Sequence, residues 1–127
     1  MKTRALTVSV VFIIGALVMA ACGPGAPAAT PTPIGDAAAG QTKFAGTCTS
    51  CHGPEAKGMP GLGKDLTTSE FVASQADLDL VAFLLQGRPA SDPANTVGVD
   101  MPPKGGNPAL AEKDLKDIVA FLRTLQK

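Results

Sequence analysis

Three stretches of the 127-residue chain carry apolar residues at the helical period, and none alternates as a strand would. Asp36 caps a predicted helix to about Thr47, with Gly40 and Phe44 on one face at i, i+4. Thr67-Thr68-Ser69-Glu70 has capping-box spacing and opens a short helix through about Ala73. Ser74-Gln75-Ala76-Asp77 repeats that signature and opens a helix to Gln86, with Leu78, Val81, Ala82 and Leu85 as its apolar face. Gly87 stands where a C-terminal cap belongs, and Pro89 follows. The last predicted helix runs from about Ala111 to Gln126, with Leu115, Ile118, Val119, Leu122 and Leu125 as its buried stripe and Phe121 beside it. The connections 53–66 and 87–110 are rich in Gly and Pro, and loops that long in a small domain are usually functional.

The first third reads differently. Lys2 and Arg4 precede an unbroken apolar run from about Val8 to Ala21, which reads as a signal peptide over residues 1–21. Its 14 residues fall short of the roughly 18–20 that a membrane span requires. The run ends in Met19-Ala20-Ala21-Cys22, which resembles a bacterial lipobox with Met where Leu is usual. Cys22 is therefore the expected lipidation site and mature N-terminus. Residues 23–35 contain four prolines and no periodic apolar face, so 22–35 reads as a lipidated Cys followed by an extended linker. At about 3.1 Å per residue the linker reaches roughly 40 Å. The predicted folded domain is then 36–127.

Composition narrows the possibilities. Eleven basic residues balance eleven acidic ones, and without Lys2 and Arg4 the balance is nine to eleven. No basic surplus exists for nucleic acid. The chain has no Trp, no Tyr and five Phe, four of them in the predicted domain. Side chains alone make a poor core for a domain this small, and a large apolar cofactor would remedy the shortage.

The candidate chemistry lies in Cys48-Thr49-Ser50-Cys51-His52. Cys-x-x-Cys-His reads as a c-type haem attachment. On a helical turn the two thiols reach one face and form thioethers with the haem vinyl groups, and the adjacent imidazole arrives as an axial ligand. His52 is the only His. A thioredoxin-type dithiol would sit in an α/β context. A zinc site needs about four ligands, and two Cys and one His are too few. The expected sixth ligand is Met101, which follows the long 87–100 loop and is stiffened by Pro102 and Pro103. Met59, seven residues after His52, would have to wrap round the haem edge at once and is read as packing. Arg88, in a Gly-Arg-Pro segment, reads equally as a haem-propionate contact or as a solvated surface residue.

On these residues, 36–127 resembles a class I bacterial cytochrome c. The resemblance implies an all-α fold, three to four helices wrapped around one covalently bound haem, with long Gly/Pro-rich loops. It matches Gly40 and Phe44 to the N-terminal helix positions that pack on Ile118 and Phe121 of the C-terminal helix. It implies that the Pro60 carbonyl accepts a hydrogen bond from the ligand His and that Leu62 covers the haem. It also implies a one-electron carrier with no catalytic residues, iron held by His52 and Met101, and no small-molecule substrate. Its partners would be a membrane redox complex or another cytochrome, met at the outer face of a bacterial membrane in a respiratory or photosynthetic chain. The layout is similar to the monohaem subunit of the quinol-oxidising alternative complex III, and also to free membrane-tethered carriers. The competing expectation is a haem enzyme or gas sensor with an open sixth position. No ring of docking lysines is evident; Met59–Gly63 and Pro102–Gly106 carry only Lys104 as a charge.

Overall fold

A computed structural model describes residues 32–127; the expected signal peptide, Cys22 and most of the linker lie outside the described residues. Among the described residues five helices follow one another: α1 (Ala37–Thr47), α2 (Thr49–His52), α3 (Glu70–Ser74), α4 (Asp77–Gln86) and α5 (Glu112–Leu125). A 3₁₀ turn at Pro103–Gly106 precedes α5. Among the described residues there is no strand, only isolated bridges between Met59 and Gly63 and between Arg88 and Met101.

The fold rests on α1 packed against α5. Gly40 makes this possible, because a Cβ there would lie 1.9 Å from the Asp117 carbonyl oxygen. One turn further on, Phe44 meets Phe121 with ring centroids 5.5 Å apart. Leu115, Ile118, Val119 and Leu122 are buried along α5, as their period requires. Ile34, from the stretch whose composition reads as linker, packs against this core. Asp36 caps α1 by accepting from the Ala38 and Ala39 N–H groups at 2.8 and 3.1 Å.

Two caps differ from expectation. Ser69, not Thr67, caps α3, its Oγ accepting from Val72 N–H at 3.3 Å. Thr67 is spent on an Asx turn, its N–H and hydroxyl both donating to Asp65 Oδ1 at 2.7 Å. Ser74 does not cap α4: its hydroxyl donates back to Phe71 O, and α4 starts from Ala76 without a side-chain cap. Arg123 of α5 steadies this junction instead, donating to Asp77 at 2.8 Å and to the Val72 carbonyl at 2.6 Å.

The buried face of α4 also differs. Leu80, Val81 and Leu84 are buried, whereas Leu78 is 64% exposed and Leu85 38%. The helix is apolar almost all round, so its period admits two faces. Packing on α5 and on the central cavity selects the face that carries Leu80 and Leu84.

Candidate functional site

Cys48 follows α1 directly and serves as the N-cap of α2, so Cys48, Cys51 and His52 share one tight turn. The His52 N–H donates to the Cys48 carbonyl at 3.0 Å, which fixes the register of that turn. The two thiols are unpaired. Burial, and secondarily the Cys51 thiol beside it, pushes the Cys48 thiol up to about 11. A dithiol nucleophile needs the opposite shift. Among the described residues no group of three or more His, Cys, Asp and Glu is placed to hold a metal.

These three side chains line a cavity of about 640 Å³. That lies within the range of about 300–1,000 Å³ usual for cofactor sites. Leu80, Leu84, Leu115, Ile118 and Leu122 supply apolar wall, so the cavity opens directly onto the core. Met101 lines the same cavity, half-buried and packed against the core. Met59 does not line it and is 40% exposed.

The imidazole is oriented by backbone. Nδ1 of His52 lies 2.9 Å from the Lys64 carbonyl oxygen. A carbonyl can only accept, so Nδ1 carries the proton and Nε2 keeps its lone pair. The resemblance assigned this acceptor to Pro60. Pro60 is instead exposed at the tip of the Met59–Gly63 turn and does not line the cavity. The turn returns the chain towards α2, closely enough that a Cβ on Gly63 would lie 2.5 Å from the Cys51 carbonyl oxygen. That return delivers the next carbonyl, that of Lys64, to the ring. Leu62 lines the cavity while remaining 43% exposed, at its rim.

The loop before Met101 is organised by a residue that sequence reasoning passed over. Asn95 Nδ2 donates to the carbonyls of Pro89 and Val99 at 3.1 and 2.8 Å. Its Oδ1 accepts from Val97 and Gly98 N–H at 3.1 and 3.0 Å. One amide thus satisfies four backbone groups in a stretch with no regular structure. An Asn in a Pro/Gly-rich loop is a turn signal, but its partners are not readable from composition. Arg88 also lines the cavity, with its guanidinium carbon 4.7 Å from the ring centroids of both Phe71 and Phe83.

A family model described as Cytochrome c matches residues 37–126. The Cbb3-type cytochrome c oxidase subunit CcoP of Rhodobacter capsulatus is 31% identical over 90 residues, which cover 70% of this chain but 29% of that protein. Cytochrome c-555 of Chlorobaculum thiosulfatiphilum is 31% identical over 87 residues, covering 68% of this chain and 93% of that one. A solved structure titled KustC0563 c-type cytochrome is similar at 18% identity with a TM-score of 0.49, covering 69% of this chain and 98% of its own.

Proposed function

Because the chain belongs to the cytochrome c family, an electron carrier with covalently bound haem c, we propose that it is an extracytoplasmic one-electron carrier whose iron is held by His52 and Met101. Thioethers from Cys48 and Cys51 attach the haem. The observation that carries this reading is the convergence of Cys48, Cys51, His52 and Met101 on one apolar cavity. The residues fit the group in chemistry as well as in size: two unpaired thiols, an imidazole with Nε2 free, and a thioether.

When bound, haem supplies an iron that cycles between ferrous and ferric. The chain's residues do the rest. Lys64 fixes the His52 tautomer and, by accepting its Nδ1–H, strengthens the imidazole as a donor. The Met101 thioether, holding the iron together with His52, would raise its potential and would leave no open position for substrate. The apolar wall of α4 and α5 lowers the local dielectric around the charge that the iron gains or loses. Leu62 covers the rim, where its exposure suits a short-range apolar contact with a redox partner.

We further infer that Cys22 carries lipid and that the linker tethers the domain near a membrane complex or another cytochrome. A tether raises effective concentration without tight binding, which matches a surface with no strong charge bias. A place in a quinol-oxidising complex within a respiratory or photosynthetic chain is one such arrangement. No described helix is long and apolar enough to cross a membrane.

Attachment is directly testable. Haem should stay with the chain through a denaturing gel, and replacing Cys48 and Cys51 together by Ala should abolish that retention. Haem that leaves the wild-type chain on denaturation would refute covalent attachment at these positions.

A further inference from the structure

We propose that Arg88 is a positioning residue for Met101, holding that side chain against the cavity through a guanidinium lodged in an aromatic corner. The inference rests on the reading of Met101 as an axial ligand.

The 87–100 stretch has no regular structure, so something other than a helix must set the Met101 backbone. Arg88 and Met101 exchange a pair of hydrogen bonds: Arg88 N–H donates to Met101 O at 2.7 Å, and Met101 N–H donates to Arg88 O at 2.8 Å. Where Arg88 goes, Met101 follows. The approach is close enough that Gly87, at φ 71°, has no room for a Cβ, which would sit 2.2 Å from the Met101 carbonyl oxygen.

Arg88 is in turn fixed by its side chain. Phe71 of α3 and Phe83 of α4 meet edge-on, with centroids 4.9 Å apart. The guanidinium carbon lies 4.7 Å from each, so the three centres form a nearly equilateral triangle. Nε is buried and forms an ion pair with the Asp92 carboxylate at 3.6 Å. Ring faces attract a cation, and a planar guanidinium stacks where an ammonium cannot. The corner thus transmits the rigidity of two helices, through Arg88, to the backbone of Met101.

The test is displacement of Met101 from the ferric holoprotein by added imidazole, followed by absorbance. A Met101 that is less well held dissociates more often, and imidazole then binds more tightly in proportion. Arg88→Met keeps apolar bulk but loses the charge and the plane. It should bind imidazole at least tenfold more tightly than wild type, with Arg88→Lys in between. Val119→Ala, in a core position that does not line the cavity, controls for general loosening and should stay within twofold of wild type. Arg88→Met within twofold of wild type, or Val119→Ala matching Arg88→Met, would overturn the proposal. If Arg88→Met yields no holoprotein, Arg88→Lys decides, at threefold or more in support and within twofold against. A wild-type spectrum without the iron–sulfur band would sink the ligand reading and this proposal together. A normal wild-type band with an unmoved Arg88 series would sink this proposal alone.

Discussion

Asp117 is 2% exposed, yet it accepts from two donors that reach it from different parts of the chain. Lys113 Nζ lies 2.6 Å from Oδ2, and the Asp36 N–H donates to Oδ1 at 2.8 Å. The Lys113 contact, then the Asp36 N–H, holds this carboxyl below the ordinary carboxylate range. The folded chain therefore binds fewer protons here than the unfolded chain, whose Asp titrates near about 3.9. The resulting stability is fully present above that value and is lost as pH falls through the lower folded value. Asp117→Asn should be less stable than wild type at pH 7, and the gap should narrow as pH drops below about 4. Denaturant titrations of both holoproteins across pH 3–7 check this; a gap independent of pH would contradict the charge argument. His52 shows what residue-level reading misses. Its identity as the only imidazole was plain from the sequence, but its partner is a backbone carbonyl. Every residue in 60–64 offers one, and only the Met59–Gly63 turn selects that of Lys64.

At the scale of elements, the α1–α5 crossing admits a sharp comparison within one helix. A Cβ on Gly40 would meet Asp117 backbone at 1.9 and 2.4 Å, and backbone cannot swing aside as a side chain can. A Cβ on Gly46, also in α1, would meet nothing within 4 Å. Gly40→Ala should cost about 3 kcal/mol or more through overpacking. Gly46→Ala should instead gain about 0.5–1 kcal/mol by restricting the unfolded chain. Equilibrium unfolding of the two holoproteins measures both, and equal effects would contradict the crossing geometry. The ends of α1 and α5 were legible because Asp36 and the Leu115–Leu122 stripe leave one solution. The face of α4 was not, because Leu78, Leu80, Val81, Leu84 and Leu85 allow more than one. The Thr67 and Ser74 cap signals were real hydrogen-bonding residues whose hydroxyls found nearer partners.

At the scale of the molecule, the apolar stripes converge on a cavity that side chains line but do not fill. Phe44, Leu115, Ile118 and Leu122 belong both to its wall and to the core, so haem bound there would add to the stability of the fold. The need for an apolar cofactor was visible in the shortage of aromatic residues, and Cys48–His52 is the attachment point proposed for it. The route of the 87–100 loop was not visible, because it depends on Asn95 and on the Arg88–Met101 pairing, which no periodicity encodes. The central claim is a closed, six-coordinate haem with His52 on one side of the iron and Met101 on the other. The absorption spectrum of the purified full-length protein tests it most directly. The account predicts a low-spin haem with a weak far-red iron–sulfur band in the ferric state, lost in Met101→Ala and kept in Met59→Ala. A high-spin wild-type haem that takes up carbon monoxide readily, or a band that disappears with Met59 and survives without Met101, would contradict it.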